Sequence, residues 1–93
     1  MIIGTVLIKL YAPWVSSLKE KRMVVKSIVA KTQHKFNIAI AEVAEQDTLQ
    51  TIVIGIACVA GTVSHSDSII DQVITFIENN TEAEILDIQR EIR

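Results

Sequence analysis

The order of β-branched runs and helix-period segments along the 93 residues constrains the fold most strongly. Ile and Val number 26 against 5 Leu, and β-branched side chains favour strands. Four short β-branched runs are predicted as strands, and two segments with a period of about 3.6 residues are predicted as helices. Their order is strand, helix, strand, strand, helix, strand. This order predicts one α+β domain over residues 1–93, a ferredoxin-like βαββαβ sandwich with two helices on one face of a four-stranded antiparallel sheet.

Local signals set the expected ends of these elements. Pro13 stops the first strand, and Ser17 with Glu20 forms a capping box at the start of the first helix. Ser64 or Ser66 is expected to cap the second helix, which ends at Asn79-Asn80. The predicted strands are Ile2–Tyr11, Asn37–Glu45, Thr48–Gly61 and Ile85–Ile92, and the first helix runs from Ser17 to about Lys35.

The two strands predicted for the centre of the sheet carry apolar residues at both odd and even positions. Leu7 lies between Val6 and Ile8, and Val53 lies between Ile52 and Ile54. One set of side chains meets the helices, and the other faces water unless a partner covers it. A mean hydropathy of +0.37 is high for so small a monomer. We therefore expect a homodimer that closes through the open sheet face or through a sheet edge.

Charge is distributed unevenly along a chain whose net charge is −2. Residues 64–93 are acidic, whereas the first helix has one acid, Glu20, against six bases. A basic helix can contact phosphates, and a solvated helix face is the alternative interpretation. The candidate nucleic-acid-binding residues are Lys19, Lys21, Arg22, Lys26, Lys31 and Lys35. The central strands hold only one aromatic residue, so we expect RNA contact through the backbone and not through base stacking on the sheet.

Signals for catalysis or for a bound cofactor are weak. His65, Asp67 and Asp71 supply only part of a metal-coordination shell, and a helix cap explains them better. No phosphate loop, dinucleotide fingerprint or activated nucleophile is present. We therefore predict no enzymatic activity, no catalytic residue, no metal and no cofactor.

Trp14, beside Pro13, is either a surface anchor or a plug at the end of the core.

Cysteine content and hydropathy indicate where the protein works. Cys58 is the one cysteine and lies in an apolar run, where cysteine acts as a small hydrophobe. The longest strongly apolar stretch, Ile52–Gly61, has ten residues, whereas a membrane span needs about 20. The first residues lack the basic segment and cleavage site of a secretory signal. We expect a cytoplasmic protein with no membrane contact.

Two blocks of sequence resemble the YlxP-like proteins, a bacterial family of unknown function. They are SLKEKR at Ser17–Arg22 and NIAIAEV at Asn37–Val43, and the positions of Asp47 and Gln50 also match. The resemblance implies a ferredoxin-like fold and a small cytoplasmic dimer. It also implies a gene neighbourhood, because genes of this family often lie beside those for translation initiation and ribosome maturation factors. The resemblance implies no catalytic residue. Glu42 and Asp47 of the motif are interpreted as partners for the basic residues across a dimer.

Two functional hypotheses follow from these features. In the first, the chain is a non-enzymatic accessory factor that binds ribosomal RNA or a ribosomal subunit through its first helix. In the second, it is a dimeric regulatory or small-ligand-binding module. The ligand site would then lie at the dimer seam or in the loop Tyr11–Ser17.

Overall fold

The computed structural model describes residues 1–93 and has the predicted order of elements. The sheet order is β2-β3-β1-β4, and all neighbouring strands are antiparallel. Both helices lie on one face, so the predicted ferredoxin-like sandwich is confirmed. The elements are β1 (Ile2–Tyr11), α1 (Leu18–Lys35), β2 (Ala39–Ala44), β3 (Thr51–Ala60), α2 (Val63–Asn79) and β4 (Glu84–Ile92).

The core lies between the sheet and the helices and is filled from the even-numbered positions of β1 and β3. Val6, Ile8 and Leu10 are fully buried, and so are the matching residues of β3. Cys58 is buried in this layer as a free thiol, 3.6 Å from the hydroxyl of Ser66. The odd-numbered side chains point to the other face of the sheet, because successive side chains alternate along a strand. No helix of the structure combines the length and the apolar character needed to cross a membrane.

Capping explains where the helices begin and corrects two expectations. The Ser17 hydroxyl accepts the Glu20 amide at 3.1 Å, as predicted. The Glu20 carboxylate accepts the amide of Ser16 at 2.7 Å, one residue before the cap amide expected for it. The α2 cap is Thr62, whose hydroxyl accepts the His65 amide at 3.1 Å. The expected caps Ser64 and Ser66 are therefore wrong.

Gln50 fixes the loop between β1 and α1, which carries Trp14. Its side-chain amide donates to the carbonyl of Pro13 at 3.0 Å, and its own carbonyl accepts the Ala12 amide at 2.8 Å. Both contacts tie the β1–α1 loop to the residue that precedes β3. Gln50 thus fixes the loop that leads into α1 through both its side chain and its backbone.

Candidate nucleic-acid interface

The helix α1 packs on the sheet through one narrow stripe and presents the rest of its surface to solvent. Its buried residues are Lys21, Val25, Ile28 and Thr32, which recur at the three- and four-residue spacing of one helical face. Helical periodicity in the sequence predicts a core stripe of Leu18, Val25, Ile28, Val29 and Phe36. Only Val25 and Ile28 of this stripe are buried, and the other three are half-buried.

Five cations cover the solvent-facing part of α1. All five are exposed, and none makes an ion pair. Glu20 is the only acid of the helix, and its carboxylate is engaged by the amide of Ser16. The positive charge of this face is therefore not compensated within α1. The five cations, called the α1 basic face below, are Lys19, Arg22, Lys26, Lys31 and Lys35.

Helical spacing divides the α1 basic face into two flanks. Lys19, Arg22 and Lys26 lie within about 60° of one another, on the side of α1 that points away from the sheet. Lys31 and Lys35 lie on the opposite flank. Lys35 borders a shallow depression that Phe76 of α2 also lines, which places this second flank towards α2.

Lys21 does not belong to this interface, and its inclusion among the contact residues is wrong. Its side chain is 1% exposed, so it cannot reach an external phosphate. Its Nζ lies 3.2 Å from Glu42 Oε2 and donates to the backbone carbonyl of Glu45. A buried ammonium needs such partners because its desolvation is costly. The prediction that Glu42 pairs with a base across a dimer is also wrong, because its partner, Lys21, lies in the same chain.

Sequence reasoning missed this ion pair because a lysine in a basic helix resembles its exposed neighbours. The signal was the position of Lys21 in the repeat, since it lies four residues before Val25 and seven before Ile28. The second partner of Lys21 is the backbone carbonyl of Glu45, which lies in a turn. Glu45 has a φ of +58°, a left-handed conformation. Lys21 therefore locks α1 to the turn after β2.

A groove runs beside the α1 basic face and has a volume of about 820 Å³. Trp14 lies in it and is 42% exposed, so this residue does not plug the core. The apolar part of the lining comes from Trp14, Met23, Val24 and Ile28. Two bases, Lys19 and Lys31, and two acids, Glu20 and Glu82, line the groove as well. The lining is therefore amphipathic, and its two bases, which belong to the α1 basic face, are balanced by the two acids.

The acids of α2 have a structural role. Asp71 accepts from Arg90 of β4 at 2.5 Å, and Asp67 contacts the same guanidinium at 3.5 Å. These contacts tie α2 to the edge strand β4. Asp67 and Asp71 thus contact Arg90, whereas His65 is exposed in the first turn of the helix. The structure does not gather the three into a cluster that could hold a metal ion.

Comparison with known proteins finds one family and one uncharacterised relative. Residues 3–90 match the family described as "Protein of unknown function (DUF503)". The chain is 41% identical over 68 residues to the "Uncharacterized protein YlxP" of Bacillus subtilis (strain 168), covering 73% of this chain and 74% of that protein. The resemblance seen in the SLKEKR and NIAIAEV blocks is thereby confirmed.

Solved structures support the fold. A de novo designed protein with a ferredoxin fold, LFR1 1, superposes with a TM-score of 0.59 at 21% identity, covering 100% of this chain and 86% of the design. The de novo designed protein Foldit4 superposes with a TM-score of 0.52 at 7% identity, covering 99% and 94%. At such identities the likeness concerns the fold alone.

Proposed function

We propose a function for this chain, which belongs to the DUF503 family of proteins of unknown function. The chain acts without catalysis as a cytoplasmic accessory factor of the ribosome, and it binds the phosphate backbone of ribosomal RNA through the α1 basic face. The observation that carries the proposal is the set of five exposed, unpaired cations on one helix of a protein whose net charge is −2. Ribosomal RNA is the polyanion indicated by the gene neighbourhood that the family resemblance implies.

The distribution of charge favours RNA backbone over bases as the contact. Cations that are free of intramolecular partners can replace the counterions of several phosphates, and the released ions favour binding. The open sheet face offers no comparable contact, because Tyr11 is the only aromatic side chain of β1 and β3. An RNA-recognition motif stacks bases on aromatic residues of its two central strands, which correspond to β1 and β3 here.

Cosedimentation with purified ribosomal subunits at low and high salt tests the proposal. The wild-type chain is expected in the ribosomal pellet at low salt and in the supernatant at high salt. Changing Lys19, Arg22 and Lys26 together to Glu should abolish cosedimentation, with folding verified by circular dichroism. A well-folded wild-type chain that stays in the supernatant at low salt would refute the proposal, and so would pelleting by the triple variant.

The groove beside α1 supports a second candidate function, a small-ligand-binding module. A volume of about 820 Å³ lies within the range of small-molecule sites, and Trp14 and Ser17 belong to the loop expected to hold such a site. A ligand that binds the folded state raises the melting temperature. A thermal-shift screen with amphipathic metabolites should show a rise that Trp14→Ala removes, and no shift with any compound would count against this function.

A further inference from the structure

The open sheet face, on the side opposite the helices, is apolar at its centre and uncovered within the chain. Leu7 is 42% exposed, Val43 is 50% exposed and Val59 is 66% exposed. Beside Leu7 a trough of about 520 Å³ is lined by small residues such as Ala41 and Ala57 and, on its β4 side, by polar and charged residues. An exposed apolar surface that spans several strands is typical of a protein interface.

We propose that a second copy of this chain covers the open sheet face. The two sheets pack face to face. The two-fold axis lies between them, parallel to both sheets and perpendicular to the strands. The strand register allows its proposed position to be described by residues. One row across the sheet consists of Ala41, Gly55, Leu7 and Gln89, and the next consists of Ala39, Ala57, Thr5 and Glu91. The axis passes between these two rows.

The size of the face fits a dimer of this kind. The strands β1, β2, β3 and β4 lie about 4.8 Å apart and have 10, 6, 10 and 9 residues, so the face has an area of about 550 Å². Two such faces bury about 1,100 Å² together, before the corrugation of the side chains is added. Specific protein interfaces begin at about this area.

Steric complementarity supports this axis. The two-fold rotation places Leu7 of each copy over Thr5 and Ala57 of the partner, so that a large side chain meets two smaller ones. The same rotation places Val53 over the partner's Val59, which is the most exposed apolar residue of the two central strands. Alternation of large and small residues across an interface allows the close packing found in protein interiors.

The charges of β4 also fit the axis and favour a second copy over a nucleic acid. Asp87 and Arg93 lie at equal distances on either side of it, opposite Lys9 and Ile3 of β1. The rotation therefore brings Asp87 to the partner's Arg93 in two equivalent pairs. Arg93 also donates a hydrogen bond to Glu91 of its own chain at 3.0 Å, which holds the guanidinium at this end of β4. Lys9 and Arg93 balance the charges of Asp87 and Glu91, so this face has no excess of positive charge to attract phosphates.

Light scattering after size-exclusion chromatography tests whether the open sheet face is the interface. The wild-type chain is expected at twice its mass of 10.3 kDa at concentrations of about 10 µM. Leu7→Glu should raise the dissociation constant at least about 100-fold, since it buries two carboxylates near the axis. Met23→Glu is the matched control, because Met23 is an exposed apolar residue of α1, and this variant should remain a dimer.

A wild-type chain that runs as a monomer at this concentration would overturn the proposal. A Leu7→Glu variant that remains a dimer while folded, as judged by circular dichroism, would overturn it too. If Leu7→Glu unfolds, Val59→Glu takes its place, because Val59 is 66% exposed and makes little contact within the chain.

A charge exchange tests the position of the axis. Asp87→Arg and Arg93→Asp should each weaken the dimer, because each places two like-charged pairs across the interface. An equimolar mixture of the two variants should dimerise again, since both pairs in the mixed dimer then have opposite charges. A mixture that stays as monomeric as the separate variants would overturn the proposed axis.

Discussion

At the scale of single residues, Lys21 shows how one helix can hold two kinds of cation. Its neighbours Lys19 and Arg22 are exposed and unpaired, whereas Lys21 is buried against Glu42. Rotation along the helix separates them, since consecutive residues differ by about 100°. Exposed cations and a buried, paired cation can therefore occur within four consecutive residues of one helix.

Removing the charge of Lys21 should destabilise the fold. Lys21→Met keeps the aliphatic stem but leaves the Glu42 carboxylate, only 18% exposed, without its counter-charge. The expected loss in the free energy of unfolding is about 3 kcal/mol, measured by urea denaturation. The matched variant Lys19→Met should change it by less than about 0.5 kcal/mol. Equal stability of both variants would show that the buried pair does not hold α1 to the sheet.

The double variant Lys21→Met with Glu42→Leu separates the cost of an unpaired charge from that of lost packing. Replacing both partners by apolar groups of similar size leaves no charge to desolvate. We expect it to recover most of the stability lost in Lys21→Met. A double variant as unstable as the single one would contradict this explanation.

Gly4 permits the close approach of β1 and α2. A Cβ placed on Gly4 would lie 1.9 Å from the hydroxyl oxygen of Ser66, so Gly4→Ala requires the helix to shift. The expected destabilisation is about 2–3 kcal/mol, and Gly4→Ala with Ser66→Ala should recover part of it by removing that oxygen. Gly61→Ala is the control, since no atom lies within 4 Å of its added Cβ. Additive effects of the Gly4 and Ser66 substitutions would contradict the clash.

At the scale of elements, the two helices differ in how well the sequence predicts them. The start of α1 was predicted because Ser17 is followed by Glu20 at capping-box spacing. The start of α2 was misplaced because Thr62, Ser64 and Ser66 are all acceptable caps, and only the path of the chain after β3 selects among them. Ser66 then enters the core, where it is fully buried.

Substitution of the α2 cap checks this assignment. Thr62→Ala removes the hydroxyl that accepts the His65 amide and should cost about 1 kcal/mol of unfolding free energy. Ser64→Ala should cost less than about 0.5 kcal/mol, because its exposed side chain does not cap the helix. Thermal and urea unfolding of both variants provide the comparison. A larger loss in Ser64→Ala than in Thr62→Ala would contradict the observed cap.

Strand existence was predictable, but strand register was not. Period-two alternation over Ile85–Ile92 predicts Leu86, Ile88 and Ile92 on one face of the last strand. In the structure Lys9 of β1 pairs with Asp87 and Leu10 pairs with Ile85, so β4 has one extra residue, Leu86, at this point. The position of such an extra residue depends on how β4 pairs with β1, and the sequence of β4 alone does not determine that pairing. The site was predictable to a similar degree, since the exposed cations were found but the burial of Lys21 depended on β2.

At the scale of the whole molecule, the two proposed surfaces lie on opposite sides of the sheet. The helices cover one face of the sheet, so a dimer closed through the open sheet face leaves both α1 basic faces pointing outwards. Dimerisation and RNA binding are then compatible. A monomeric Leu7→Glu variant should bind a short RNA with unchanged affinity per chain, measured by fluorescence anisotropy. A loss of affinity in this variant would place the RNA on the sheet side.

The salt dependence of RNA binding tests the central claim most directly. Each phosphate contact contributes about 0.7 to the slope of log K against log salt concentration for a single-stranded RNA. Lys26→Gln should therefore reduce this slope by about 0.7, whereas Lys9→Gln, an exposed lysine on the open sheet face, should leave it unchanged. Equal slopes for the wild type and Lys26→Gln, or an equal loss in both variants, would contradict binding through the α1 basic face.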